Sequence, residues 1–212
     1  MVGTVLMRSI SDCEPRRYDA ATSAVFHKTR EAYGGLSNMA AGFPLIVNGI
    51  DIRTSEALYQ ICRFPHIPEV QLEILAERSP MTAKMRSKPW RHETRADWME
   101  VRVRIMRWTL RVKLVQNWES FSKVLFETGD RYIVEKKTKR ADFWGAQVQE
   151  DGSFYGKNVL GRLLMEIRDQ ANELGRDGFL EAKPLNIEHF ELLGEPIRSV
   201  KPVNKVQTQL AL

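Results

Sequence analysis

The chain has 212 residues, 43% hydrophobic and 28% charged, which is the balance of a folded globular protein and not of a collagen-like or disordered one. Its longest uncharged apolar run, residues 39–50, spans 12 positions and contains Pro44 and Asn48, whereas a membrane span needs about 20 residues. Lysine and arginine exceed the acids by 32 to 27, a net charge of +5, a mild excess that suits an anionic ligand or nucleic acid without requiring one.

Residues 1–23 show little periodicity, and residues 1–13 lack secretory architecture. With only Cys13 and Cys62, a reduced cytoplasmic protein is expected. Ala24 to His27 reads as a short strand, and Glu31 to Met39, with its paired glycines, as a loop. Pro44-Leu-Ile-Val, Asn48-Gly49 and Ile50-Asp-Ile-Arg53 spell a β-hairpin, because both central residues of the preferred two-residue turn need positive φ.

Helices are predicted from a Thr54 or Ser55 cap to Phe64, from Pro68 to Arg78, and from the Ser79-Pro80 start to Lys88. Thr94 and Asp97 resemble a capping box ahead of a long helix to Gln116. A shorter helix covers Glu119 to Glu127 and closes near Gly129. Arg131 to Glu135 reads as a strand. Asn158 would cap a last helix whose Leu160, Leu163, Leu164, Ile167, Ala171 and Leu174 recur at helical spacing, with Gly175 ending it. Beyond it, prolines punctuate short apolar patches. The expected organisation is an N-terminal extension (1–23), one mainly helical α+β domain with a small hairpin or sheet element (24–175), and a C-terminal appendage (176–212) that packs on the domain or stays partly free.

There is no Cys-x-x-Cys, His-Glu-x-x-His, Gly-x-Ser-x-Gly or Walker A sequence, and the four histidines are scattered. No metal or cofactor is expected, so any chemistry would rest on carboxylates, lysines, aromatics and helix ends. Charge clusters in two places: seven cations against three acids over Trp90–Lys113, and five against one over Arg131–Arg140. On the long helix, Thr109, Arg102 and Lys113 form a narrow strip between two apolar stripes. A cation there either finds a carboxylate or an anionic ligand, loses its proton, or snorkels to water. Glu56 is its leading partner; it shares a helix face with Tyr59, Gln60 and Arg63, and it equally suits the helix dipole. Phe143-Trp144 can stack on a nucleobase or plug the surface of the core. Gly156-Lys-Asn158 can hold a phosphate at a helix start, or Asn158 can simply cap it.

In chain order, Gly35-Leu-Ser-Asn38, Thr54-Ser-Glu56 with Tyr59-Gln60, Ser79-Pro-Met-x-Ala-Lys84, Asp97-Trp98, Lys113, Thr128-Gly-Asp130 followed by Ile133-Val-Glu135, Asp142-Phe-Trp-Gly145, and Gly156-Lys-Asn158-x-Leu-Gly161-Arg-Leu-Leu-Met165 resemble the NADAR (YbiA-like) family over about residues 24–174. The resemblance implies a mainly helical α+β fold and a nucleotide- or ADP-ribose-directed N-glycosidase. One branch of that family hydrolyses early riboflavin-pathway intermediates, and another removes ADP-ribose from guanine bases in DNA as an antitoxin to an ADP-ribosyltransferase toxin. Metabolite-type members read Thr-Ser-Glu-His-Tyr-Phe-Gln with a lysine seven residues after the Glu. Here the run is Thr54-Ser-Glu-Ala-Leu-Tyr-Gln60, Arg63 stands at the lysine position, and Asp142-Phe-Trp-Gly145 continues with Ala-Gln. These departures resemble the toxin-linked branch.

The resemblance also implies roles. Glu56 would stabilise positive charge on the ribose and handle water. Lys113, or Lys84 as second candidate, would attack the sugar carbon and pass through a Schiff base. Phe143 and Trp144 would stack on the base and Asp142 would orient the ribose, with Asn38 and Tyr59 also among the substrate-binding residues. Gly156 and Asn158 would hold pyrophosphate, with Arg63 or Arg102 offsetting its charge. The implied partners are ADP-ribosylated DNA or a nucleotide and a cognate ADP-ribosyltransferase toxin. Two alternatives stay open: an N-glycosidase of phosphoribosylamino-pyrimidines, and a non-catalytic module that binds ADP-ribose or nucleic acid.

Overall fold

The computed structural model describes residues 14–139 and 143–203. A five-stranded sheet lies in the order β1 (Arg16–Tyr18), β7 (Phe154–Gly156), β6 (Ala146–Val148), β5 (Tyr132–Lys137), β2 (Ser23–Phe26). β5 runs parallel to both β2 and β6, and the remaining pairs are antiparallel. The hairpin forms as a separate pair, β3 (Leu45–Val47) and β4 (Ile50–Ile52), with Asn48 and Gly49 at φ 52° and 81°, the positive values that the two-residue turn demands.

Helices α1 (Ser55–Ile61), α2 (Pro68–Ala76) and α3 (Pro80–Arg86) pack against one another, and α1 rests on α4 (Trp98–Gln116). Thr54 caps α1 by accepting the Ala57 N–H at 3.3 Å, and Ser79 caps α3 by accepting that of Met81 at 3.2 Å. The capping box expected at α4 does not form. Asp97 stands before the helix but pairs with Arg95, and Thr94 is taken by Arg63 and by the Arg91 carbonyl. Helix α5 (Trp118–Phe126) leads into β5, and α6 (Val159–Leu174) lies on β5. The architecture is α+β with helices dominant, and among the described residues no helix is long and apolar enough to cross a membrane.

The extension and appendage expected at the two ends are woven into this unit where described. Residues 16–18 add β1 to the sheet edge. Phe179, Phe190, Leu192, Ile197 and Val200 enter the main core, and β8 (Glu191–Leu192) pairs with β9 (Glu195–Pro196). Buried Gln71 ties this segment down: it accepts the Leu193 N–H at 2.6 Å and donates to the Glu191 carbonyl at 3.2 Å. The short spacing of its apolar residues hid these contacts, because they are made by loop conformations and not by a periodic element.

Helix α4 is the axis of the domain, buried over most of its surface. Its strip cation Lys113 is fully buried, and the resolution is neither a carboxylate nor water. Nζ donates to the carbonyls of Gly35 at 2.6 Å and Ser37 at 3.2 Å, and it lies over the rings of Phe43 and Phe121 at 4.4 and 4.1 Å. Carbonyl dipoles and ring faces stabilise an ammonium. Loss of hydration works against it and brings its pKa down from 10.5 to about 7.

Two outcomes are expected. A Cβ at Gly161 would sit 2.1 Å from the Ile133 carbonyl oxygen, so Gly161→Ala must push α6 off β5 and cost about 2–3 kcal/mol; chemical denaturation checks this. Below pH 7 Lys113 is protonated in both folded and unfolded chains, and its burial cost is felt in full. Between about 7 and 10.5 the unfolded chain binds more protons, so stability rises with pH. Thermal melts of the wild type and Lys113→Met should therefore diverge in favour of the wild type across that window. A constant difference would contradict the assignment.

Candidate active site

Helix α1, the N-terminal half of α4, helix α3, the loop before the hairpin and the end of β5 converge on a cleft of about 580 Å³. Its lining carries six cations (Arg63, Lys84, Arg91, Arg102, Lys136, Lys137) against two carboxylates, Glu56 and Glu135. A cleft with that imbalance concentrates anions.

Glu56 sits in the first turn of α1 and is only 6% exposed. Its N–H donates to the Asn38 carbonyl at 3.0 Å. Its Oε1 accepts from Gln60 Nε2 at 2.9 Å and lies 3.6 Å from Lys84 Nζ. The partner amine is thus Lys84, which is half-exposed on α3, and not Lys113. The reason is the direction of the α4 strip: Arg102 opens into the cleft, whereas Lys113 lies three turns further along, beneath the Gly35–Ser37 loop, and is not part of the cleft lining. Lys113 is sealed from any sugar, so the expectation of a nucleophile there is corrected to a structural cation.

An aromatic ridge crosses the cleft. Tyr59 is tilted on Trp98 at 5.1 Å and edge-on to Trp144 at 5.7 Å, and Trp144 is edge-on to Phe143 at 5.1 Å. Arg63 lies over Trp98 at 5.3 Å and Arg102 over Phe143 at 3.8 Å, a cation at each end. Trp144, half-buried, contributes to the lining; Phe143 stands behind it and steadies Arg102. Burial first, and the Glu56 charge second, push the Tyr59 phenol up, so it stays neutral. Asn38 lines the cleft with its Nδ2 against Met106 Sδ at 3.0 Å.

The phosphate cradle expected at Gly156 and Asn158 is a correction. The N–H groups of Asn158, Val159 and Leu160 are given to the carbonyls of Gly145, Phe143 and Trp144. The Asn158 side chain makes no cap; it donates to the Ile133 carbonyl at 2.8 Å and accepts the Glu135 N–H at 3.1 Å, clamping α6 to β5. Gly156 is buried in β7, where a Cβ would meet the Gly145 carbonyl oxygen at 2.6 Å. Donors already satisfied within the chain cannot hold an anion. Asp142 lies outside the described residues.

Several residues of the cleft were missed at the level of sequence. Trp98, Met99, Met106 and Arg91 enter it only because α4 and the turn before it pass over α1. Lys136 and Lys137, which pairs with Glu135 at 3.0 Å, do so because β5 ends at its mouth. Their signal was the cationic run at 131–140. The arginines on the other side of α4 do different work. Arg107 pairs with Glu166 at 2.7 Å, while Arg104 and Arg111 hold carbonyls of the C-terminal segment.

The NADAR domain matches residues 25–172. The N-glycosidase YbiA of Escherichia coli K12 is 35% identical over 145 residues, which cover 68% of this chain and 86% of that protein. Its Shigella boydii counterpart is 37% identical over 149 residues, with the same coverage. A riboflavin biosynthesis protein of Vibrio vulnificus is 32% identical over 150 residues, 70% of this chain but 38% of the longer Vibrio protein. The NMR structure of Escherichia coli YbiA superposes with a TM-score of 0.60 at 33% identity, covering 72% of this chain and 86% of the other.

Proposed function

The chain belongs to the NADAR domain family, and from that premise we propose that it is an N-glycosidase whose reacting sugar carbon sits between Glu56 and Lys84. The observation that carries this is the 3.6 Å approach of an amine to a shielded carboxylate, beside an aromatic wall, in a cationic cleft.

Breaking a C1–N bond of a riboside leaves the electron pair on the base nitrogen, which takes up a proton, and builds positive charge on C1 and the ring oxygen. Glu56, held by Gln60 and the Asn38 carbonyl, is preorganised to stabilise that charge. In direct hydrolysis it also accepts a proton from the water whose oxygen bonds C1. In the lysine route Lys84 gives its proton to Glu56 and its nitrogen bonds C1 as the base departs. The ring then opens to a Schiff base, and water adds to the imine carbon, releasing the amine and the free sugar. Trp144 would stack on the base. Arg63 and Arg102, one at each end of the aromatic ridge, would offset phosphate charge.

For the substrate we propose ADP-ribose on guanine bases of DNA, with the protein acting as antitoxin to an ADP-ribosyltransferase toxin. The breadth of the cleft, its six cations and the Thr54-Ser-Glu-Ala-Leu-Tyr-Gln60 departure from the metabolite pattern support this. The names of the relatives favour the second reading, a phosphoribosylamino-pyrimidine of the riboflavin pathway. A purely nucleic-acid-binding module is disfavoured, because Arg104, Arg107 and Arg111 are engaged in holding α6 and the C-terminal segment.

Glu56→Gln should lower turnover at least 100-fold with an unchanged melting temperature; activity within threefold of the wild type would remove Glu56 from the chemistry. Borohydride added during turnover should leave a sugar adduct that peptide mass mapping finds on Lys84 and not on Lys113; no adduct on Lys84 argues for direct hydrolysis. Side-by-side assays on an ADP-ribosylated guanine oligonucleotide and a phosphoribosylamino-pyrimidine decide the substrate. Release of base from the second alone would refute the DNA assignment.

A further inference from the structure

Three arginines line the cleft, and two of them, Arg63 and Arg91, meet where α1 ends. Among the described residues, the cleft lysines Lys84 and Lys137 each have a carboxylate partner, whereas Arg63 and Arg91 have none. The two guanidiniums feel each other. Loss of hydration is the main cause that lowers the Arg63 pKa, and the like charge of Arg91 adds to it. Cations that repel, one of them half-buried and with no acid between them, are neutralised best by an anion.

Arg63 is also pinned by a residue that stays outside the cleft lining. Thr94 Oγ1 donates to the Arg91 carbonyl at 2.7 Å, which uses its only proton, and one of its lone pairs accepts Arg63 Nε at 2.8 Å. The Arg95 N–H donates to the Arg63 carbonyl at 3.1 Å, and the guanidinium lies over the Trp98 ring at 5.3 Å. Holding an arginine by Nε leaves its two terminal nitrogens, whose parallel N–H groups match two oxygens of a phosphate. One hydroxyl thus ties the side chain of Arg63 to the backbone of Arg91. We infer that Thr94 is a positioning residue that sets Arg63 beside Arg91 as a two-arginine clamp for a phosphate group of the substrate. This rests on the glycosidase reading, which supplies a phosphorylated riboside, and adds to it an anchor and the residue that aims the anchor. A hydrogen bond to a charged group is of the size that changes affinity on the order of tenfold. A phosphate held equally before and during bond cleavage favours substrate and transition state alike, so its loss is read in KM and not in kcat.

The probe is inorganic pyrophosphate, titrated calorimetrically into the whole chain. Arg63→Gln and Arg91→Gln should each weaken its binding at least tenfold. Thr94→Val, which keeps the shape and loses the hydroxyl, and separately Thr94→Ala should weaken it about tenfold, while Thr94→Ser stays within twofold of the wild type. Because Thr94 acts through Arg63, the double variant Thr94→Val/Arg63→Gln should bind no worse than Arg63→Gln alone. Additive losses, or an affinity indifferent to Thr94, overturn the inference. On a phosphorylated riboside, Thr94→Val should raise KM about tenfold with kcat within threefold of the wild type. A fall in kcat at unchanged KM is the mark of a structural role and also overturns it. If the three residues govern pyrophosphate binding while no riboside is cleaved, the glycosidase reading fails and the clamp stands. Cleavage with pyrophosphate binding indifferent to all three sinks the clamp alone.

Discussion

The ammonium of Lys113 has no path to water, so the chain folds around it. The loop at residues 35–38 brings two carbonyls to Nζ, and Phe43 and Phe121 close the sides. That bracket has a second end. The next carbonyl in line, of Asn38, takes the N–H of Glu56, so one loop links the buried cation of the central helix to the first turn of α1. A carboxylate with only 6% exposure keeps its geometry because its backbone is held from below, by the loop, and its side chain from beside, by Gln60. The cleft is thus set by packing around α4, and Glu56 and Lys84 both project from helices, as the positional accuracy of the proposed chemistry requires.

The same economy governs the far end of the domain. Asn158 occupies a left-handed conformation and spends its amide on two backbone groups of β5. Gly161 lets α6 approach β5 to within backbone contact. The Phe143-Trp144 segment is carried by these anchors, since its carbonyls accept the first N–H groups of α6. Trp144 therefore reaches the cleft from a loop whose backbone belongs to the helix start. Aromatic contacts then run unbroken from Phe143 to Trp98, so the Trp144 loop and the helix carrying Glu56 are packed against each other.

Much of this was legible in the residues. The hairpin, the capped starts of α1 and α3, and the stripe of α6 follow from local chemistry, which is decided within a few residues. The grouping of Glu56, Tyr59, Gln60 and Arg63 on one face was equally local. What escaped were the long-range choices. A lysine strip between apolar stripes states that a cation must be neutralised, but carbonyls 76 and 78 positions away in sequence leave no trace in spacing. An asparagine before a helix has the composition of a cap whether its amide turns to the helix or to a strand. Thr94 and Asp97 have capping-box spacing, yet both were claimed by arginines. The C-terminal segment carried its core residues without a period to mark them.

We propose that sugar chemistry happens at Glu56 and Lys84, between the Trp144 wall and the Asn38 loop. The most direct test is a crystal structure of Glu56→Gln with the intact glycosidic substrate bound. The sugar carbon should lie within about 3.5 Å of Lys84 Nζ, with the base against Trp144 and the phosphates toward Arg63 or Arg102. A ligand seated instead in the separate groove that Arg104, Arg107 and Arg111 line with the C-terminal segment, or a C1 turned away from Lys84 and residue 56, would contradict it.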